Sequence, residues 1–331
     1  MTKPSLSRRI VLAGAASAAI LGLSAAAHAE TKWDLPVAWP PGNFHTKNAV
    51  AFAAAVGKAT NGELKITVHP GGALGLKGPE TLRAVRDGIV SIAEMNAPQQ
   101  VGDAPYFGIE ALPFVIDDYK QLRELHNKIR PEYDKIAAQF KQKILYMTPW
   151  PTQYIYSKVK IASLADLKGI KIRTTDKNAS SMATSLGMVP VQMPFADVVP
   201  SLASGALGAV TTSATSGVDG KFWEFLKHML ATNHLWSSNM VTVNLDAFNK
   251  LPPAQRAALE KVGKDLEPTF WQASAAEDTK NRKILAEKGM VITELTPAMK
   301  AEMKKLTASV TDDFIKQVGG TSAAILAPFR K

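Results

Sequence analysis

Residues 164–175 read Leu164-Ala165-Asp166-Leu167-Lys168-Gly169-Ile170-Lys171-Ile172-Arg173-Thr174-Thr175, and residues 187–195 read Gly187-Met188-Val189-Pro190-Val191-Gln192-Met193-Pro194-Phe195. Across this stretch Ile170–Arg173 is a short apolar strand, Asn178–Leu186 has helical spacing and Val189–Gln192 is a second strand. Strand, helix, strand is the unit of a sheet with parallel neighbours, because a parallel pair needs a crossover of helix length. Arg173 closes the first strand. Open α/β sheets bind ligands outside the carboxyl ends of their strands, so Arg173 is a candidate site residue.

The alternation extends in both directions. Downstream lie a helix over Phe195–Ser204 and a strand over Leu207–Thr211. Upstream, a strand over Glu30–Trp39 ends in the turn Trp39-Pro40-Pro41-Gly42. The helix Asn48–Thr60, the strand Leu64–Val68, the helix Pro79–Asp87 and the strand Ile89–Met95 follow. An amphipathic helix over Asp117–Gln142 and a strand over Ile144–Met147 complete that half. The pattern predicts an α/β protein of mixed sheets flanked by helices. Pro253–Lys288 keeps helical spacing for about 36 residues, roughly 50 Å at 1.5 Å per residue, which exceeds one small domain. The alternative is two shorter helices broken near Gly263 or Pro268.

The first 29 residues have a different character. Lys3, Arg8 and Arg9 precede an apolar run from Ile10 to Ala27, which closes in Ala27-His28-Ala29. A basic start, an apolar centre and small residues at the cleavage positions describe a secretory signal. Ser7-Arg8-Arg9-Ile10-Val11-Leu12 fits a twin-arginine address. Cleavage takes away three positive charges and no acids, so the formal charge of +10 becomes +7, 36 Lys+Arg against 29 Asp+Glu. Past residue 30 no segment approaches 18 uncharged apolar residues. An exported protein in the periplasm is expected, and that compartment argues against nucleic acid as a partner.

The search for catalytic chemistry is negative. The chain has no Cys, which excludes thiolate metal sites, disulfides and a Cys nucleophile. Gly71-Gly72-Ala73-Leu74-Gly75 has the wrong spacing for a dinucleotide loop, and phosphate-loop, zinc-protease and nucleophile-elbow motifs are absent. The six histidines are scattered, and Asp117-Asp118 and Asp312-Asp313 read as helix-start and solvated charges. No enzyme, cofactor or metal is expected.

The two quoted segments resemble the D-L-K-G-x-K-[IL]-R and G-x-x-P-x-x-[ML]-x-[FY] signature of DctP-type substrate-binding proteins of TRAP (tripartite ATP-independent periplasmic) transporters. Further matches are Gly62-Glu63-Leu64, Leu74-Gly75, Val85–Gly88, Ala111-Leu112-Pro113-Phe114, Thr232-Asn233-His234 and Leu251-Pro252. The resemblance spans Glu30 to about Gly319. It implies a two-lobed periplasmic-binding-protein fold of type II-like form, each lobe a mixed sheet flanked by helices, with one long helix spanning both. Lobe 1 would comprise residues 30–151 plus about 239–277, and lobe 2 residues 152–238 plus about 278–331. The implied partners are a carboxylate ligand and the small and large membrane subunits, the receptor acting as a monomer.

Residue by residue, Arg173 falls on the arginine that the family uses for a bidentate salt bridge to the substrate carboxylate. A planar guanidinium matches the two oxygens of a carboxylate and stays charged when buried. Gln153 falls where sialic-acid binders carry a second Arg and α-keto-acid binders carry Gln. Thr212 falls where many members carry Asn, and Thr211 where some carry an acidic metal ligand, so no substrate-bridging metal is expected. Asn96 falls on a polar position of the first lobe, and Phe195 on a ring that lines the pocket. Trp39, Trp150 and Trp236 are candidates for flat apolar wall.

One arginine without a second suggests one carboxylate. The expected ligand is an aromatic or otherwise apolar monocarboxylate whose 2-oxo or 2-hydroxy group reaches Gln153 or Thr212. A short α-keto acid or a C4-dicarboxylate is the next choice. A periplasmic sensor partner could use the same fold, because fold does not fix function.

Overall fold

The computed structural model describes residues 30–330; the expected signal, residues 1–29, lies outside them. The described part begins with β1 (Thr31–Pro36), α1 (Phe44–Ala59), β2 (Leu64–His69), α2 (Thr81–Arg86), β3 (Ile92–Asn96), α3 (Tyr119–Gln139) and β4 (Gln142–Pro149). It crosses into β5 (Tyr154–Ser157), β6 (Lys171–Thr174), α4 (Lys177–Ser185), β7 (Val189–Gln192), α5 (Val198–Ala203), β8 (Ala209–Thr212), α6 (Ala214–Asp219) and β9 (His228–Ala231). It then returns through β10 (Ser238–Asn244), α7 (Leu245–Lys250), α8 (Pro253–Glu287), β11 (Val291–Glu294), α9 (Pro297–Val318) and α10 (Ser322–Leu326).

The two lobes follow from the strand pairing. Lobe 1 holds the parallel pair β1-β2 and the antiparallel sheet β3-β10-β4, while lobe 2 holds the mixed sheet β11-β9-β5-β8-β6-β7. In the latter β5 runs antiparallel to β8 and β9, and the remaining pairs are parallel. The segment 164–175 builds β6 as its residues demand. The Asp166 carboxylate accepts from the Ala162 and Ser163 amides at 2.9 and 2.8 Å and caps a 3-10 turn. Gly169 takes φ 74°, which lets the chain turn sharply into the strand. Leu167 and Ile172 are fully buried in the lobe 2 core with Met182 and Met188.

The long helical pattern is one helix. The 35 residues of α8 start in lobe 1, where Leu259 and Phe270 join its core, and end in lobe 2, where Leu285 joins the other. In passing, α8 covers the free edge of β4. The Glu267 carboxylate accepts from the Met147 amide at 3.0 Å and the Trp271 indole donates to the Met147 carbonyl at 3.0 Å. An uncovered edge strand would leave those groups unpaired. Gly263 lets the helix approach, since a Cβ there would lie 2.5 Å from the Leu145 carbonyl oxygen.

Three local differences separate the sequence reading from the structure. The helix expected over Phe195–Ser204 is a 3-10 turn over Phe195–Asp197 followed by α5. The strands β5, β9, β10 and β11 and the helices α6, α7, α9 and α10 were not anticipated. The C-terminal segment expected wholly with lobe 2 divides its packing. Met303 of α9 joins the lobe 2 core, whereas Phe314, Leu326 and Phe329 pack with Phe107, Leu122 and Tyr133 of lobe 1.

Gly263→Ala is expected to destabilise the protein by about 1–2 kcal/mol. The overpacking against Leu145 outweighs a helix-propensity gain of about 1 kcal/mol. Denaturant unfolding monitored by circular dichroism measures this; an unchanged or raised midpoint would show that α8 does not pack as closely as described.

Candidate ligand-binding site

The edges of the two sheets carry the candidate residues. In lobe 2 the carboxyl ends of β6 and β8 and the amino end of antiparallel β5 share one edge, with Thr212 paired to Tyr154. In lobe 1 Asn96, Asn239 and Thr148 form a row across β3, β10 and β4. Residues 150–153 join β4 to β5 and residues 232–237 join β9 to β10, so these edges are connected directly. The two crossovers are laced together. The Trp150 amide donates to the Ser237 carbonyl at 2.7 Å and the Gln153 amide to the Leu235 carbonyl at 3.2 Å. His234 in the second crossover is pushed down to about 3 by burial and is neutral. Its ring nitrogens meet Thr211 Oγ1 at 2.8 Å and Thr232 Oγ1 at 2.6 Å.

Arg173 is 1% exposed, the most voluminous of the fully buried side chains. Its Nε and Nη2 donate to the Met193 carbonyl at 3.1 and 2.9 Å, and Nη1 donates to Thr175 Oγ1 at 3.2 Å. A guanidinium has five N–H donors, so each terminal nitrogen keeps one. Among the described residues no carboxylate makes a salt bridge with it. Burial pushes Arg173 down to about 10, which leaves it cationic at neutral pH, while the more distant Asp176 supports the charge through space. Asp176 is itself buried and pushed up to about 6, and its Oδ1 accepts from the Ala179 amide at 3.0 Å to cap α4. A buried cation held only by neutral oxygens and a weak distant field lacks the compensation that burial normally requires.

The other candidates fall into place unequally. Gln153 is buried and its Nε2 donates to the Pro151 carbonyl at 3.1 Å. Asn96 is buried and its Nδ2 donates to Asn239 Oδ1 at 3.0 Å. Trp39 and Trp150 meet edge to face with ring centroids 4.5 Å apart, and half-buried Phe195 reaches across from lobe 2 to Trp39 at 5.8 Å. Trp236 is not brought to them. Its indole donates to the Ile116 carbonyl at 2.9 Å and packs on Tyr119 within the lobe 1 core.

Three residues beside this group escaped the sequence reading. His45 packs against Trp150 with tilted rings 4.4 Å apart, Glu94 approaches the His45 ring at 3.4 Å, and Asn239 donates to Glu94 Oε1 at 2.8 Å. A lone acid among the apolar residues Ile92, Ala93 and Met95 of β3 was the available signal for Glu94.

The lobes also touch at their rims. Asn43, the cap of α1, donates from Nδ2 to Asp219 Oδ2 at 2.6 Å, and Asn178 Nδ2 donates to the Gly108 carbonyl at 2.9 Å. Burial pushes the Asp219 carboxyl up to about 6, with the Asn43 bond opposing. An unfolded Asp titrates near 4, so the folded chain holds this proton more tightly. That contribution to stability is complete below about pH 4 and is lost as pH rises through about 6. Asp219→Asn keeps an acceptor for Asn43 and cannot ionise. Its Tm relative to the parent is expected to climb between about pH 4 and 7; a difference that stays flat would refute the assigned burial cost.

The model of the DctP family, described as bacterial extracellular solute-binding protein, family 7, matches residues 37–317. Among solved structures, the Bordetella pertussis extracytoplasmic solute receptor DctP7, which binds pyroglutamic acid, superposes with TM-score 0.88 at 31% identity, covering 91% of this chain and 100% of that one. A marine metagenome TRAP solute-binding protein specific for pyroglutamate gives TM-score 0.88 at 33% identity, covering 91% and 99%. The C4-dicarboxylate-binding periplasmic protein DctP of Rhodobacter capsulatus is 28% identical over 340 residues, 97% of this chain and 98% of its own length. The chain belongs to the DctP family, the extracellular solute-binding proteins of TRAP transporters.

Proposed function

We propose that this protein is a periplasmic receptor for a small cyclic monocarboxylate whose ring carries an uncharged amide, with pyroglutamate as the reference ligand. It would act as a monomer and deliver the ligand to the transporter's membrane subunits. The carrying observation is Arg173, a buried guanidinium with an N–H left on each terminal nitrogen and, among the described residues, no carboxylate bonded to it. A ligand carboxylate supplies the missing countercharge in a two-point contact. Two structures 31% and 33% identical to this chain belong to proteins that bind pyroglutamate, which supports the choice of ring.

The expectation of an aromatic or otherwise apolar monocarboxylate finds no support in these relatives, and a polar lactam takes its place. The faces of Trp39, Trp150 and Phe195 suit the flat sides of a small ring. The edge beside them is lined by Asn96, Asn239 and Glu94 and suits polar atoms. A single carboxylate fits one cation, and a C4-dicarboxylate would bring a second charge to that uncharged edge.

Capture follows from the two-lobed geometry. The carboxylate docks on Arg173 in lobe 2, and lobe 1 then closes over the ring. Closure is favoured by contacts that exist only when both sheet edges engage the ligand. Gln153, at the crossover, couples the ligand's position to the hinge.

Calorimetric titration of the ligand-stripped protein with pyroglutamate, succinate and galacturonate tests the reading. Pyroglutamate is expected to bind, and the other two at least about 100-fold more weakly. Arg173→Ala should weaken pyroglutamate by 10²–10³-fold or more, on the order expected for removing one partner of a buried charge pair. Arg173→Lys should remain severely impaired because the fork is lost. Binding confined to succinate would instead identify a C4-dicarboxylate receptor, and near-parental affinity in Arg173→Ala would remove its assigned role.

A further inference from the structure

Four buried polar atoms at the cleft edge of lobe 1 have no hydrogen-bond partner among the described residues: His45 Nε2, Glu94 Oε2, Asn96 Oδ1 and Thr148 Oγ1. Their residues are 2%, 5%, 2% and 0% exposed. They come from three elements, α1, β3 and β4, and converge around Asn239. Asn239 sits opposite Asn96 on β3 and Thr148 on β4, donates to Glu94 Oε1 at 2.8 Å, and accepts from the Trp150 indole at 2.8 Å. Glu94 and Asn96 stand two residues apart on one strand and so share a face.

Buried polar groups are nearly always paired, and a cluster of exceptions beside a ligand cleft marks where a ligand's own polar atoms belong. We propose that Glu94 and Asn96 form a hydrogen-bonding subsite that reads the N–H edge of the ligand's ring amide, the inference resting on the ligand class named above. Burial pushes Glu94 up to about 8, against hydrogen bonds from Asn239 and Trp39 that favour the carboxylate, and burial holds His45 well below its ordinary value. Both are therefore neutral at pH 7. A carboxylic acid presents a donor and an acceptor side by side, and a ring amide presents the complementary acceptor and donor. Asn96 Oδ1 is a further acceptor for the N–H. The Asn239 amide, bonded to both residues, fixes which atom each turns toward the cleft.

The division of labour is specific to the lobes. Arg173 in lobe 2 recognises charge and would serve any small carboxylate. The lobe 1 edge recognises an uncharged N–H and rejects ligands that leave its acceptors facing a lone pair. Discrimination of this kind is large, because the mismatched ligand strands buried polar groups.

The test compares pyroglutamate with its lactone analogue, 5-oxotetrahydrofuran-2-carboxylate, in which a ring oxygen replaces the N–H. The parent protein is expected to prefer the lactam by about 100-fold. Asn96→Ala and Glu94→Ala should each reduce that preference to below about tenfold, mainly by weakening the lactam. Glu94→Gln, which keeps one donor and one acceptor, should retain more of it than Glu94→Ala. Circular dichroism and Tm confirm that the variants are folded, and the parent comparison needs no variant. Equal affinity of the parent for lactam and lactone overturns the subsite, as does an unchanged ratio in folded Asn96→Ala and Glu94→Ala. Failure of the parent to bind either compound, with succinate binding intact, would instead overturn the ligand class.

Discussion

A positive charge buried with no carboxylate of the described residues bonded to it organises this molecule. Removing a guanidinium from water is costly, and the neutral oxygens of Met193 and Thr175 repay part of that cost. The fold does not supply the remainder from its own residues. It holds the side chain at the end of β6 instead, on a core of Leu167, Ile172 and Met182 that fixes the strand beneath it. A site that is rigid and under-compensated binds its counter-ion with little reorganisation.

The rest of the architecture places chemically different surfaces opposite that charge. The carboxyl ends of β6 and β8 face lobe 2's side of the cleft, and the ends of β3 and β4 face lobe 1's. Two short crossovers, hydrogen-bonded to each other and locked by neutral His234, keep the edges in register. Trp39 and Phe195 meet across the gap, so the aromatic wall is complete only when the lobes are together. The proposed recognition is thus shared between a cationic lobe and a polar one.

Much of this was legible in local patterns. The strand Ile170–Arg173 and its end at Arg173 were legible because strand spacing is a short-range property, whereas the Asp166 cap and the left-handed Gly169 emerged only from the structure. The 36-residue helical pattern was legible because its spacing persists through Pro268. What stayed hidden depends on distant partners. The strand β10 is buried on both faces and carries Asn239 and Thr242 among Met240, Val241 and Val243, so its pattern has no clean alternation. Glu94 and Asn239 are 145 residues apart, and nothing local links them. Trp236 was indistinguishable by type from Trp39 and Trp150; its bond to the Ile116 carbonyl, which decides its place, is a tertiary contact.

The helix α8 also sets a mechanical limit on how the receptor can move. Anchored by Leu259 and Phe270 in one lobe and by Leu285 in the other, it is an elastic rod clamped at both ends. A change in the angle between the lobes must be absorbed along its length, and Pro268 is the soft point. A proline there donates no N–H, so the carbonyl of Lys264 lacks its ladder bond and bending costs least at that turn. The lobes are therefore sprung rather than freely jointed. Each ligand is weighed against the stiffness of one helical turn as well as against the groups it touches.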